Sequence, residues 1–311
     1  MNPAWSVILF TTVAGAGQGL VVVLSMALIA GIEIHAPFAR LTLGVAFAML
    51  AVGLAASFFH LGRPERAWRA AAMWRTSWLS REVIALPAFM GLIALWWLAW
   101  RAGVHPVVTS ALLPAAALVF AVLLWYCTAM IYACLRFIEE WAHPLTFVNF
   151  ALIGLSSGAL LAAALAATRG FQPFVGVAGP LALVATIAAC VTRGAAVHRN
   201  ATLRHRSTLQ SATGIATPKL VQTSMGMTAG SFNTREFFHR ASAAGLKRIR
   251  GTLFVLGFAI PALLAVVGLD NHAAWPWWCA VVVQVPGLFA DRWFFFAQAK
   301  HPQNLYYQVV S

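Results

Sequence analysis

Long apolar blocks separated by shorter polar connections run the length of this chain. Eight of them, approximately Trp5–Gly31, Pro37–Leu61, Glu82–Trp100, Val107–Ala133, Leu145–Ala167, Phe171–Ala195, Gly251–Leu269 and Trp275–Ala297, come close to or exceed the roughly 20 residues that cross a bilayer's hydrocarbon core. Lipid offers backbone groups no partner, so each block is predicted to close its own hydrogen bonds as a helix. The fold class is therefore an all-α integral membrane protein, a bundle of eight transmembrane helices. Gly15, Gly17 and Gly19 in the first block, and Ser156, Ser157 and Gly158 in the fifth, would let neighbouring helices approach closely. Met1 to Gly31 is too long an apolar run, with no basic start, for a cleaved signal peptide, and reads as the first span.

Two connections are longer than a turn. Gly62 to Arg81 interleaves Arg63, Arg66, Arg69 and Arg75 with Trp68, Trp74 and Trp78, which suits a segment lying among lipid headgroups. His198 to Arg250 is basic, polar and rich in Ser and Thr; at that length it is either a partner-docking loop or a disordered linker. Residues 1–311 are read as one transmembrane anchor domain carrying this basic loop at about 198–250.

An even number of spans puts both termini on one side, together with the connections after spans two, four and six. Eighteen Lys and Arg fall on that side, and Arg40, Arg101 and Arg169 on the other. Setting aside the ten from Arg193 to Arg250 still leaves eight against three, so the positive-inside rule predicts cytoplasmic termini, here in a bacterial inner membrane.

Composition narrows the chemistry. With 61% hydrophobic and only 9% charged residues, the chain is too apolar for a soluble domain. The net charge of +13 sits between apolar blocks, which suits anionic membrane lipid and not nucleic acid. Cys127, Cys134, Cys190 and Cys279 form no CxxC pair and read as packing residues, so no zinc or iron–sulfur cluster is expected in this chain. No histidine falls mid-span, so no haem is expected either.

The informative stretch is HLGRPERAWRAAAMWRTSWLSRE, from His60 to Glu82. It brings an imidazole at the end of span two and a carboxylate at the start of span three to one membrane depth. Quinone chemistry moves two electrons and two protons, and needs a hydrogen-bond donor and a proton acceptor near the carbonyls. The plainer account is that His60 caps its helix and Glu82 favours the positive helix start. Arg63, Arg66 and Arg81 are candidates for holding the quinone headgroup or an acidic partner surface, or are simple topology anchors. Asp291 and Arg292, near the end of span eight, are a functional candidate as an ionisable pair but read first as a local ion pair at the interface, and Gln18 either contacts a ligand or, more commonly, bonds across helices.

The HLGRPERAWRA and SWLSRE elements and the terminal DRWFFFAQAKHPQNLYYQ, within an eight-span layout, resemble the membrane-anchor subunits of dimethyl-sulfoxide-reductase-type molybdoenzymes across essentially the whole chain. The resemblance implies a molybdopterin catalytic subunit and an iron–sulfur subunit as partners. It also implies electron exchange with a quinone, ubiquinone or menaquinone, and places the family's quinone-site histidine and glutamate on His60 and Glu82. Cytoplasmic termini depart from the best-known reductase anchors and resemble instead quinone-dependent sulfite dehydrogenases. Sulfite oxidation is accordingly placed ahead of sulfoxide reduction. A transporter would need polar residues at the midplane, where Ala, Leu, Val, Gly and Phe dominate. A purely structural anchor would differ only in whether His60 and Glu82 react.

Overall fold

The computed structural model describes residues 1–59, 61, 63–224, 234, 237–239, 241–271 and 273–306. Among the described residues eight helices are long and apolar enough to span a membrane: α1 (Trp5–Ile29), α2 (Ala36–Phe58), α3 (Trp78–Arg101), α4 (Val108–Ala133), α5 (Leu145–Thr168), α6 (Gln172–Thr202), α7 (Ala243–Asn271) and α8 (Trp275–Ala297). The predicted all-α architecture is thus the observed one.

The bundle is organised around α1 and α5, whose spanning windows are 78% buried against 28–50% for the others. Glycine makes their contact possible. A Cβ on Gly19 would lie 1.9 Å from the Gly154 carbonyl oxygen, and one on Gly158 would lie 2.2 Å from the Gly19 carbonyl carbon. In lipid the driving force for helix association is packing, so such close backbone contact carries much of the stability. A second crossing joins α7 and α8, where a Cβ on Gly287 would lie 2.1 Å from the Gly257 nitrogen.

Prolines set the local irregularities. Two π-turns, Val108–Leu112 and Val255–Ala259, precede Pro114 and Pro261, which lack the N–H that would close the previous turn. Carbonyls in these turns find side-chain donors instead. The Trp96 indole donates to Thr109 at 2.9 Å, and Gln284 Nε2 donates to Gly257 at 3.2 Å and to Ser156 Oγ at 3.0 Å. Ser156 in turn shares a 2.7 Å hydrogen bond with Thr186, so α5, α6, α7 and α8 are stitched at one level. The cross-helix bond expected of Gln18 does not form at its amide oxygen, which is buried with no partner among the described residues.

Several boundaries differ from the sequence expectation. The long basic connection is shorter than His198 to Arg250, because helices take over at both ends. α6 runs on to Thr202, so His198 sits in its last turns. At 31 residues α6 is about 46 Å long, well past the roughly 30 Å hydrocarbon core. It continues through Pro180, and Arg199 suits the negative helix end. α7 starts at Ala243 behind a Ser242 cap that accepts from Gly245 N–H at 3.1 Å. The cysteines are not uniformly packed: Cys127 is buried, whereas Cys134 and Cys279 are exposed.

The N-terminal amine donates to the carbonyls of Phe296 and Ala299, both at 3.2 Å, which pins the start of the chain to the end of α8. Both described ends therefore lie at one end of the bundle, with the Pro64–Ala71 segment, the 134–144 connection and the α6–α7 loop. That loop is tied down where it leaves α6. Arg206 N–H donates to Glu139 at 2.7 Å, and Arg199 donates to the Glu139 carbonyl at 3.2 Å.

Candidate functional site

From Arg63 to Glu82 the chain folds as a short 3-10 helix, Pro64–Ala71, followed by turns that lead to the Ser77 cap of α3. Most of this segment's aromatic and basic residues face outward, Trp68 at 72% and Trp74 at 52% exposure, while Trp78 and Arg81 are half-buried. Guanidinium groups lie against indoles along the segment: Arg69 over Trp68 at 5.5 Å, Arg75 over Trp74 at 5.4 Å and Arg81 over Trp78 at 4.0 Å. This matches a belt at headgroup depth, where an indole body and a cation can both be accommodated.

The site candidates separate in the structure. His60 lies outside the described residues. Arg63 is exposed, and Arg66 is exposed beside Glu65 at 3.9 Å. Arg81 turns back on its own segment, donating to the carbonyls of Trp74 at 2.9 Å and Arg75 at 2.8 Å. It therefore fixes the entry into α3. Arg63 and Arg66 make no described contact with Glu82.

Glu82 is the group that the fold treats unusually. Because α3 begins at Trp78 and not at Glu82, the carboxylate sits in the second turn, 6% exposed, and is not a helix-start acid. Its Oε1 accepts a hydrogen bond from Thr128 of α4. A carboxyl group inside a membrane bundle is costly unless it is partnered or used. Trp78, one turn earlier on the same face of α3, meets Tyr126 edge-on at 5.3 Å, and Tyr126 meets Phe147 at 5.6 Å. An aromatic row thus runs along α3, α4 and α5 beside the carboxylate, with Tyr126 itself 41% exposed.

A second polar cluster holds the expected ion pair. Asp291 and Arg292 are 2% and 3% exposed inside the bundle. Asp291 Oδ1 accepts from Arg193 Nε of α6 at 2.5 Å and lies 3.9 Å from Arg292 by its other oxygen. Arg292 also covers the Phe150 ring at 3.9 Å. Arg193 and Arg292 thus leave the surface positive charge counted on the loop side, which still exceeds that of the opposite side. Glu140, in the connection between α4 and α5, is 5% exposed, with Oε1 at 3.5 Å from His205. Its charge opposes the effect of burial on the Met1 amine, whose pKa is lowered to about 6.

Thr128, Arg193 and Glu140 escaped the sequence reading. Arg193 carried a usable signal, since it falls inside the predicted sixth span and an arginine there needs an acidic partner such as Asp291. Thr128 carried none, because threonines are ordinary in apolar helices.

Among known families, the one described as DMSO reductase anchor subunit (DmsC) matches residues 1–285. A sulfite dehydrogenase subunit of Allochromatium vinosum is 45% identical over 330 aligned positions, covering all of both chains. Anaerobic dimethyl sulfoxide reductase chain YnfH of Escherichia coli strain K12 is 28% identical over 196 residues, 61% of this chain and 68% of that protein.

Proposed function

The chain belongs to the DMSO reductase anchor subunit family, and from that premise we propose that it is the quinone-reactive membrane anchor of a molybdopterin and iron–sulfur oxidoreductase complex that oxidises sulfite. In the net reaction sulfite, water and quinone become sulfate and quinol. Sulfite chemistry belongs to the catalytic partner, and an iron–sulfur partner passes its two electrons to the anchor's quinone site.

The observation that carries this reading is Glu82, a carboxylate buried one turn inside the loop-side end of the bundle and held by Thr128. Quinone reduction needs a proton donor at that depth, where a headgroup can be reached while its isoprenoid tail stays in lipid. Glu82 exchanges protons with the quinone oxygen, His60 hydrogen-bonds the other carbonyl, and the row Trp78, Tyr126 and Phe147 shields the headgroup. The exposed Arg63 and Arg66, with Trp68 and Trp74, form part of the docking face for the iron–sulfur subunit, while Arg81 holds that segment against α3. Full-length likeness to a sulfite dehydrogenase subunit supports sulfite as substrate. The partial likeness to a dimethyl sulfoxide reductase chain favours the second reading, a reductase anchor oxidising quinol.

Membranes containing the complex are expected to reduce a short-chain ubiquinone analogue when sulfite is added, and an affinity tag on this chain to recover an iron–sulfur and a molybdopterin subunit. Reduction of dimethyl sulfoxide by quinol, with no sulfite activity, would select the second reading; recovery of the chain without partners would defeat both.

Topology is tested separately. The termini and basic loops are assigned to the cytoplasm of a bacterial inner membrane on charge bias. A fluorescent reporter that matures only in the cytoplasm, fused after Ser311, is expected to glow. A silent reporter with an active periplasmic enzyme fusion at the same point would reverse the orientation and remove one ground for preferring sulfite.

A further inference from the structure

Glu82 is buried, and a quinone headgroup against it would cover it further, yet two protons per quinone must pass between this site and water. We propose that Thr128, Tyr132 and Glu140 form a buried proton relay joining Glu82 to water at the loop side of the bundle, with Arg193, Asp291 and Arg292 shaping its outer half. The inference rests on the assignment of Glu82 made above.

Thr128 and Tyr132 follow one another along α4, and Glu140 lies in the connection after it. Thr128 donates to Glu82, and its hydroxyl can accept a second hydrogen bond from the other side. Tyr132 follows four residues later, on the same face of α4 and one turn nearer its loop-side end. Its ring is held among Trp141, Phe150, Phe295 and Phe296, with centroids 5.3–5.9 Å apart, so its hydroxyl has little freedom to wander. Tyr132 is thereby in ring contact with Phe150 and Phe295, which line the cleft of the second polar cluster. It also stacks on the same Phe150 ring that Arg292 covers.

Beyond Tyr132 a narrow cleft is lined by Glu140, Asn149, Arg193, Asp291, Arg292 and Gln298. Its free space accommodates about one water, too little for a lipid headgroup or metabolite but enough to carry a proton. Glu140 Oε2 is buried with no hydrogen-bond partner among the described residues, and its Oε1 meets His205, whose side chain is 27% exposed. Arg199 lines the cleft with Arg193 and Arg292, and Glu140 adds to Asp291 a second carboxylate that can carry the proton among them. As Glu82 gives its proton to the quinone, Thr128 passes one to Glu82 and takes one from Tyr132 or an intervening water. Tyr132 is refilled from the cleft water and Glu140. The electrons come separately, from the iron–sulfur partner.

Tyr132→Phe keeps the ring and removes the hydroxyl, and Glu140→Gln keeps shape and removes the exchangeable proton. Variants of the arginine–aspartate cluster are unsuitable, because they leave a charge buried and unpaired. In the intact complex, each variant is expected to slow sulfite-driven reduction of the quinone analogue by about tenfold or more. The rate should fall further in D2O than that of the parent complex and recover in part with millimolar acetate, a small diffusible weak acid. Sulfite oxidation with a dye that bypasses the membrane should be unchanged. Unaltered rates and isotope effects in both variants would overturn the relay. So would slower turnover with no response to D2O or acetate, which is a packing defect. Glu82→Gln, measured alongside, separates the two readings: if it is slow while both relay variants are normal, only the relay falls, and if it is itself normal, the quinone site falls with it.

Discussion

Replacing Glu82 with Gln is expected to lower quinone-linked turnover by about 10²- to 10⁴-fold, the usual contribution of a positioned acid–base group. That corresponds to roughly 3–5 kcal/mol added to the barrier for the quinone step. The substitution is nearly isosteric, and the amide oxygen can still accept from Thr128, so the geometry between α3 and α4 is kept. It also removes a carboxyl group that is 6% exposed inside a membrane bundle, which relieves a desolvation cost and favours folding. The loss is therefore expected in an assembled complex: partner subunits still co-purify, and sulfite oxidation with a soluble dye continues at the parent rate. His60→Ala is expected to act in the same direction and to weaken inhibitors that mimic the quinone headgroup. Normal quinone turnover in both variants would move the site elsewhere, and the aromatic row with the Arg63–Arg81 segment would be the next place to examine.

The largest structural effect is expected at the α1–α5 crossing. Gly19→Ala would put a methyl group 1.9 Å from a carbonyl oxygen of α5, and the reciprocal Gly158→Ala one 2.2 Å from the backbone of α1. Neither neighbour is a flexible side chain that could step aside, so the two central helices must separate. Overpacking of a rigid core costs about 1–3 kcal/mol, and backbone against backbone belongs at or above the top of that range. Because these helices form the centre of the bundle, the separation is felt by every other span. Thermal unfolding in detergent, followed by tryptophan fluorescence, should show a large drop in midpoint for either variant. Gly91→Ala is the control: nothing lies within 4 Å of its added carbon, and replacing a mid-helix glycine is neutral to stabilising by up to about 1 kcal/mol. Equal behaviour of Gly19→Ala and Gly91→Ala would mean that the α1–α5 contact does not hold the fold.

The eight spans were legible in the sequence because a bilayer imposes a local rule. Each segment must supply its own backbone hydrogen bonds and enough apolar length, and both can be counted along the chain. Even span number and the Lys and Arg distribution likewise put the termini and basic connections together, as the Met1 contacts with Phe296 and Ala299 do in space. Glu82 could be singled out because a carboxylate beside an apolar block is rare. What surrounds it could not, since nothing along the sequence sets the rotation of α3 against α4 that brings Thr128 to the carboxylate. The same holds for Asp291, whose neighbour in sequence is Arg292 but whose closest ionic partner is Arg193, 98 residues away on α6. Helix ends past the membrane, as in α6 and α7, also depended on capping and on contacts with the 134–144 connection. Helix formation in lipid is decided within each segment, whereas side-chain pairing is decided by how helices turn and slide against one another, and that is set by packing at sites such as Gly19 and Gly158.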